Sequence, residues 1–330
     1  MSLFADVGIY AGEERKKGLA IPYMGSKRKL ALLILDHIIK NNPNVKYFYD
    51  LFGGGGAISF EALQRPQLQE VHYNEFNEAI VNLLLKIRDD GITDEFYEWI
   101  SREEFNKLKT GTCWQSGFIK TCWSFGNNQK DYLYSKVVEE DKRLMHEIVI
   151  NKCEKSLSEF EKKNMLNIDK ENIFSLDELR KRRIKLEKEL TKNIKNSTEI
   201  FDIVKKFTDI QKGKNVYGAI EHLARLDSLQ NLKNLTKMLK ITNFSYEQVL
   251  INTPKDETVI YLDPPYENKK KYEKDIDHKK LEEWIKNSPY KIYISSYEFD
   301  GFREVASFKH RSTLSATANN EVVERLFCNQ

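Results

Sequence analysis

The stretch KYFYDLFGGGGAISFEAL, residues 46–63, decides the fold of this 330-residue chain. Its aromatic-rich first part, 46–52, predicts a buried strand, and the four glycines at 53–56 predict the turn that ends this strand. The segment 57–63 then predicts a helix that ends near Pro66. A strand that leads into a helix in this way is typical of a sheet with helices packed on its faces.

Further strands and helices follow at the spacing of an α/β fold. Segment 70–75 predicts a second strand, and segment 78–88, with apolar residues at helical spacing, predicts a second helix. This strand–helix–strand–helix order implies a parallel sheet. Leucines at three- or four-residue spacing from Leu223 to Leu239 predict one more helix. The last part of the chain returns to strands, predicted at 258–262, 291–295 and 321–327.

The glycine turn and Glu75 together predict a nucleoside-binding edge of the sheet. Glycines between a strand and a helix permit positive φ angles and let a ligand approach the backbone at the helix N-terminus. Nucleoside-binding sheets place an acidic ribose ligand at the end of the next strand, about 20 residues on. Glu75 lies 19 residues after Gly56. The alternative is a tight turn beside a surface glutamate. Since the run is not GxGxxG, a nicotinamide cofactor is not favoured.

A second motif, Asp263-Pro264-Pro265-Tyr266, directly follows the apolar strand 258–262. Two prolines end a strand abruptly and stiffen the turn that follows. They leave a carboxylate, a carbonyl that no helix uses and an aromatic ring at the carboxyl edge of the sheet, where ligands bind in open α/β folds. Such a tetrapeptide also occurs in ordinary loops. Two motifs of this kind in one α/β frame favour a functional site.

A third element, segment 21–30, precedes the first helix and contains Ser26 as a plausible N-cap, followed by the basic Lys27 and Arg28. Taken alone it is compatible with a plain basic helix start. In this order, the three elements resemble the DNA adenine-N6 methyltransferases of the D12 (Dam-like) class. The resemblance also includes the segment 101–106, and it covers about 105 residues at the N-terminus and 90 at the C-terminus.

This resemblance implies an α/β fold of the class I S-adenosylmethionine-dependent methyltransferase type, a Rossmann-like sheet with a helical target-recognition insertion. It implies a first core part at 1–105 that binds the cofactor, an insertion at 106–240 that binds DNA, and a second core part at 241–330 with the catalytic motif. The cofactor would be S-adenosylmethionine and the product N6-methyladenine in double-stranded DNA.

The resemblance also implies the residues of the site. The predicted cofactor contacts are Tyr23, Met24, Gly25, Lys27, Asp50, Phe52, Gly54, Gly56, Glu75 and Asp263. The predicted catalytic residues are Asp263, Pro264, Pro265 and Tyr266. Asp263 would contact both cofactor and target amine, and Tyr266 would stack on the extruded adenine. Glu75 stands where aspartate is frequent in the family, and its longer arm can still accept hydrogen bonds from ribose hydroxyls.

The chemistry of amine methylation agrees with these residue types. An exocyclic aromatic amine is a poor nucleophile because its lone pair is delocalised into the ring. The Asp263 carboxylate and the Pro264 carbonyl could accept both amine hydrogens and so favour a pyramidal nitrogen, which makes catalysis mainly a matter of positioning and electrostatics. No metal is required. The base must leave the duplex, and an aromatic ring offsets part of the unstacking cost.

The middle of the chain carries the excess of positive charge. Residues 101–240 contain 29 Lys and Arg against 21 Asp and Glu, although the whole chain has a net charge of only +3. Such an excess favours phosphate contacts, and loop 123–130 has aromatic and amide side chains suited to entering DNA. The alternatives are a solvated helix face and an ordinary turn with a buried Trp. The predicted DNA contacts are Asn127, Asn128, Lys130, Arg180, Lys181, Arg182 and Arg183.

Composition limits the other classes of protein. No apolar run approaches the roughly 20 residues of a membrane span, and the first residues do not read as a signal peptide. The four cysteines lack metal-ligand spacing. We therefore expect a cytoplasmic, nucleoid-associated protein of a prokaryotic or phage-infected cell, with a cognate restriction endonuclease as a possible partner. The rival functions are cytosine-N4 methylation, whose motif more often begins with serine, methylation of RNA or protein amines, and a catalytically silent DNA-binding module.

Overall fold

The computed structural model describes residues 18–196, 219–265, 276–296, 299, 301–311 and 321–330. A seven-stranded sheet runs through this part of the chain in the spatial order β3-β2-β1-β4-β5-β7-β6. The strands are β1 (Tyr47–Asp50), β2 (Glu70–Asn74), β3 (Leu239–Thr242), β4 (Thr258–Leu262), β5 (Lys291–Ser296), β6 (Arg303–Arg311) and β7 (Glu321–Cys328). Strands β1 to β5 pair in parallel with one another, and β7 pairs antiparallel with both β5 and β6.

The described residues form twelve α-helices. They are α1 (Ala31–Lys40), α2 (Ala57–Ala62), α3 (Glu78–Asp89), α4 (Arg102–Leu108), α5 (Trp114–Cys122), α6 (Glu139–Asn151), α7 (Glu154–Asn164), α8 (Lys170–Phe174), α9 (Leu179–Asn196), α10 (Glu221–Leu229), α11 (Lys233–Thr236) and α12 (His278–Asn287). None of these helices is long and apolar enough to cross a membrane.

Helices cover both faces of the sheet, which is why its central strands are apolar at successive positions. Alternate residues of β4 point to opposite faces. Val259 and Tyr261 join the larger core, with α1, α2 and α3, whereas Ile260 and Leu262 join a second core with α12. All five residues of β4 are buried. The predicted α/β fold is therefore confirmed, and the predicted parallel sheet is confirmed for β1 to β5, while β6 and β7 add an antiparallel edge.

The structure corrects the prediction of one continuous helix in the leucine-rich segment before β3. The predicted helix from Leu223 to Leu239 is divided into α10, a 3-10 turn at Gln230–Leu232 and α11. Leu239 is not helical and begins β3, which pairs in parallel with β2 from Val71 onward. The physical reason is that the free sheet edge offers β3 a full ladder of hydrogen bonds, which the local leucine spacing does not reveal.

The helix α5 lies inside the segment predicted as an insertion, yet it packs closely on α3. A Cβ atom added at Gly117 of α5 would lie 2.1 Å from the carbonyl oxygen of Ala79 in α3. The two helices therefore touch through bare backbone, and the segment 114–122 lies directly on the layer that covers the sheet.

Candidate active site

A cleft of about 730 Å³ opens at the carboxyl ends of the parallel strands. Ligands bind at this edge in open α/β sheets. Most of the predicted site residues line the cleft: Tyr23, Met24, Gly25, Lys27, Asp50, Phe52, Gly54, Glu75, Asp263 and Pro265. Gly56 and Pro264 do not line it, and Tyr266 lies outside the described residues. Among the described residues, no group of three or more His, Cys, Asp or Glu could hold a metal ion.

The glycine turn brings bare backbone to the floor of the cleft. A Cβ atom at Gly53 would lie 2.2 Å from the ring of Tyr73, so no larger residue fits there. Gly56 is the N-cap of α2 at a φ of 77°, in the left-handed region that favours glycine. Gly56 therefore shapes the turn from behind the cleft. A glycine is found at this position of the motif because the N-cap of α2 has a positive φ.

Glu75 ties the end of β2 to this glycine turn. Its Oε2 atom accepts a hydrogen bond from the Gly54 amide at 2.7 Å, and its Oε1 atom accepts one from the Asn77 amide at 2.8 Å. Burial raises the pKa of Glu75, while these backbone donors lower it. Because a carboxylate oxygen has two lone-pair directions, both oxygens can still accept hydrogen bonds from a ligand.

Asp50 lines the cleft and carries a buried carboxylate oxygen that makes no hydrogen bond within the described part of the chain. Its Oδ2 atom accepts a hydrogen bond from Ser59 Oγ at 2.7 Å, and its Oδ1 atom has no hydrogen-bond partner among the described residues. The pKa of Asp50 is raised to about 7, chiefly by burial and also by the nearby Asp263 and Glu75, although the hydrogen bond from Ser59 lowers it. A cationic or hydrogen-bond-donating ligand would satisfy Oδ1, since a buried polar atom is costly when unpaired.

Lys27 joins two carboxylates beyond the end of β4. Its ammonium group donates to Asp263 Oδ1 at 2.8 Å and lies 3.5 Å from Glu324 Oε1. The side chains of Lys27 and Glu324 are 6% and 3% exposed, and that of Asp263 is 20% exposed toward the cleft. Burial raises the pKa of Asp263, Lys27 lowers it and Glu324 raises it. Ser26 occupies the N-cap position before Lys27, but its side chain makes no capping bond.

The loop at 123–130 begins in the core and continues at the border of the cleft. Trp123 is fully buried, so the alternative of a buried Trp is correct for that residue. Ser124 and Tyr132 pair across the loop, and Phe125 at its tip is 64% exposed. Gln129 accepts a hydrogen bond from the Asn77 side chain at 3.3 Å, which connects the loop to the end of β2.

The amides of this loop mostly stabilise its own turn. Asn128 Oδ1 accepts hydrogen bonds from the amides of Lys130 and Asp131, and its side-chain amide donates to Asp131. Asn127 adopts a φ of 58°, and its Oδ1 atom is buried without a partner among the described residues. Asn128 and Lys130 line the cleft, so the predicted DNA contacts at these two positions border the site.

The basic run 180–183 does not act as one surface. Arg182 is only 5% exposed and donates to the carbonyl groups of Val149, Ile150, Leu176 and Asp177. The prediction of Arg182 as a DNA contact is wrong in this structure, because its guanidinium group caps the end of α6. Arg183 is held by Glu187 and Asp227. Arg180 and Lys181 are exposed and stay predicted contacts.

Two exposed aromatic side chains on the cleft were missed by sequence reasoning. Phe76 and Phe244 are each half exposed and line the cleft directly after β2 and β3. Asn243 donates to the carbonyl groups of Glu75 and Phe76 and so joins the two strand ends. An aromatic residue after a strand could have indicated Phe76. Phe244 gave no such indication, because the segment before it was predicted as a helix.

Comparison with known proteins gives two findings. The family model of the D12 class N6 adenine-specific DNA methyltransferase matches residues 23–220 and 214–319. The Type II methyltransferase M.MjaIII of Methanocaldococcus jannaschii is 27% identical over 187 residues, which cover 54% of this chain and 62% of that protein. With this match, the seven-stranded sheet confirms the predicted Rossmann-like class I methyltransferase fold. The chain belongs to the D12 class of N6 adenine-specific DNA methyltransferases.

Proposed function

We propose that this chain transfers a methyl group from S-adenosylmethionine to the N6 amine of a specific adenine in double-stranded DNA. The observation that carries the proposal is the meeting of Asp263, Asp50 and Glu75 in one cleft at the carboxyl ends of three adjacent parallel strands. The family match and the methyltransferase relative support it.

The residues of the cleft fit S-adenosylmethionine. The unpartnered Asp50 Oδ1 atom suits an ammonium group, and Glu75 can accept from two ribose hydroxyls. The exposed rings of Phe76 and Phe244 offer apolar faces for a planar base. When bound, S-adenosylmethionine supplies the methyl group on a sulfonium centre. The cofactor contacts implied by the family resemblance stay proposals, with Gly56 acting through the shape of the turn.

Asp263 and Pro264 would prepare the nucleophile. Asp263 borders the cleft, and one of its oxygens is held by Lys27, which leaves acceptor capacity for the target amine. Together with the Pro264 carbonyl it would accept both amine hydrogens and localise the lone pair on N6. The site thereby works through fixed acceptors and orientation. The stacking role of Tyr266 and the part of Pro265 in stiffening the turn stay predictions.

The basic middle of the chain would bind the duplex. We keep the division into 1–105, 106–240 and 241–330 as a proposal, with the second core part beginning at Leu239, where β3 joins the sheet. Phe125 presents an exposed ring at the tip of the loop beside the cleft, suited to fill the space that an extruded base leaves. Arg180 and Lys181 would neutralise phosphates.

The cellular setting follows from the substrate. A DNA-methylating enzyme works where the DNA is, which supports a place at the nucleoid in the cytoplasm. The relative's name, Type II methyltransferase, supports a restriction-modification context with a cognate endonuclease.

Mass spectrometry of nucleosides from treated duplex DNA tests the function. We expect N6-methyladenine. N4-methylcytosine would establish the cytosine alternative, and the absence of any methylated nucleoside would leave a silent DNA-binding module.

Asp263→Ala should abolish turnover at saturating cofactor and DNA, whereas the matched control Asp256→Ala, at an exposed position before β4, should retain it. Tyr266→Ala should slow methylation about 5- to 150-fold, since base–aromatic stacking is worth about 1–3 kcal/mol, and Tyr266→Phe should keep much of the rate.

A further inference from the structure

Asn74, the last residue of β2, is a buried amide whose side chain joins the ends of three strands. It is 1% exposed. Its Nδ2 atom donates to the Leu51 carbonyl at 3.1 Å, directly after β1, and to the Phe244 carbonyl at 3.0 Å, two residues after β3. Its Oδ1 atom accepts from the Phe244 amide at 3.0 Å and from the Thr242 hydroxyl at 2.9 Å. The side chain thus connects the end of β1 with the turn that follows β3.

These four bonds use the whole hydrogen-bonding capacity of the Asn74 amide, which has two donor hydrogens and two acceptor lone pairs. Both partners of Nδ2 are carbonyl oxygens, and both partners of Oδ1 are donor groups, so one orientation of the amide satisfies them all. Two of the bonds go to the N–H and the carbonyl group of the same residue, Phe244. They fix the peptide planes on both sides of that residue, and therefore the direction in which its side chain leaves the backbone.

The ring that is directed in this way borders the cleft. Phe244 is half exposed and lines the cleft. Asn243, the residue before it, donates to the carbonyl groups of Glu75 and Phe76. The two strand ends therefore hold each other, because an amide side chain from each binds the backbone that follows the other. Since Glu75 is the proposed ribose acceptor, the ring of Phe244 is held in a fixed place relative to the ribose position.

We propose that Asn74 is a positioning residue for cofactor binding: it holds the backbone of Phe244 so that the ring meets the planar base of S-adenosylmethionine. This inference rests on the proposed function. Asn74 does not itself line the cleft, so it acts through Phe244. A ring that is already held in place costs little further conformational entropy on binding, whereas a loose ring must be ordered by the ligand.

Two other roles for Asn74 make different predictions. Its Nδ2 atom also binds Leu51, and its backbone carbonyl accepts from the Gly53 amide at 2.8 Å, so it could act through the glycine turn. It could also contribute to stability alone. In the first case the losses of affinity from changes at positions 74 and 244 would multiply, and in the second a folded Asn74 variant would bind the cofactor normally. A double-mutant cycle separates these cases, since residues that act through one contact are not additive.

The experiment measures S-adenosylmethionine binding by isothermal titration calorimetry for the wild type, Asn74→Ala, Phe244→Ala and the double variant. Phe244→Ala should lower the affinity about 5- to 150-fold, which corresponds to about 1–3 kcal/mol for base–aromatic stacking. Asn74→Ala should lower it by no more than Phe244→Ala does. The double variant should bind as weakly as Phe244→Ala alone, because a side chain that is absent cannot be positioned.

A second pair of variants tests the same role without touching the amide. Thr242→Val removes the hydroxyl group that holds Asn74 Oδ1, and Thr242→Ser keeps it. We expect Thr242→Val to bind S-adenosylmethionine more weakly and Thr242→Ser to bind it like the wild type. In the Phe244→Ala background, Thr242→Val should have no further effect.

A matched control and a rate measurement distinguish positioning from a loss of structure. Asn42→Ala removes an amide that binds the Ile38 carbonyl and the Tyr293 hydroxyl group and that does not line the cleft. It should lower the stability in urea and leave the affinity unchanged. At saturating S-adenosylmethionine, the single-turnover methylation rate of Asn74→Ala should recover toward that of the wild type, because the loss falls on binding.

The outcomes are distinct. A folded Asn74→Ala with the affinity of the wild type overturns the inference, as do losses that multiply in the double variant. If Asn74→Ala does not fold, a Thr242→Val variant with unchanged affinity overturns it, as does a loss that Thr242→Ser shares. A loss in Thr242→Val that is absent from Thr242→Ser and from the Phe244→Ala background supports it. If the wild type binds no S-adenosylmethionine, the proposed function fails first. If it binds the cofactor but methylates no DNA, the calorimetric cycle still decides the role of Asn74.

Discussion

Glu75→Gln is the most direct test of the cofactor half of the cleft. In the wild type each carboxylate oxygen accepts one backbone hydrogen bond, from Gly54 at 2.7 Å and from Asn77 at 2.8 Å. Glutamine has nearly the same shape but only one acceptor oxygen. Its amide nitrogen must therefore face either the Gly54 or the Asn77 N–H group, donor against donor.

Two free energies follow from this geometry. An unpaired buried donor costs about 1–3 kcal/mol, so the free energy of unfolding should fall by that amount. The ribose hydroxyls lose a charged acceptor, and charge-assisted hydrogen bonds contribute about 1.5–3 kcal/mol. At about 1.4 kcal/mol per factor of ten, the affinity for S-adenosylmethionine should fall about 10- to 150-fold.

Isothermal titration calorimetry with S-adenosylmethionine measures the affinity, and urea unfolding measures the stability. Glu103→Gln is the matched control, because Glu103 is an exposed glutamate on α4 that does not line the cleft. A folded Glu75→Gln variant that binds S-adenosylmethionine as tightly as the wild type would refute the reasoning and remove Glu75 from the site.

Three further predictions concern other parts of the molecule. Because the pKa of Asp50 is raised from 3.8 to about 7 in the folded protein, its ionisation lowers the free energy of unfolding as the pH rises from about 4 to about 7. Calorimetry should show the affinity for the cationic cofactor falling below about pH 7, and Asp50→Asn should bind more weakly and lose that part of the pH dependence. Replacing Arg180 and Lys181 together with Ala should reduce the slope of log affinity against log salt by up to roughly 0.9 per phosphate contact, as measured by fluorescence anisotropy on a non-cognate duplex. Gly117→Ala should lower the free energy of unfolding in urea by about 1–3 kcal/mol, because its Cβ atom would lie 2.1 Å from a carbonyl oxygen of α3.

The meeting of Asp50, Glu75 and Asp263 could be predicted because it depends on local signals and one general rule. Each residue lies at or just beyond the carboxyl end of a short apolar or aromatic strand, and the strand ends are marked by glycines, by an acidic residue or by two prolines. Parallel strands bring these ends to the same edge of the sheet. The spacing along the chain was therefore sufficient to predict the cleft.

Other features depend on partners that are distant in sequence. Arg182 sits in a run of four basic residues, and nothing in that run distinguishes it from Arg180; its burial follows from the packing of α9 against the end of α6. The strand β3 follows leucines at helical spacing, and pairing with β2 makes it a strand. The burial of such a residue and the formation of such a strand depend on long-range contacts, which override local propensity.

By itself, the sequence determined the α/β class, the glycine turn, the end of β4 at Asp263 and the edge of the sheet where they meet, because local backbone chemistry and strand direction settle these features. The tertiary structure alone decided that Glu324 lies 3.5 Å from Lys27 and that Phe244 borders the cleft. The physical reason is the order of the strands. The antiparallel insertion of β7 between β5 and β6 and the placing of β3 at the edge bring together residues that no local pattern connects.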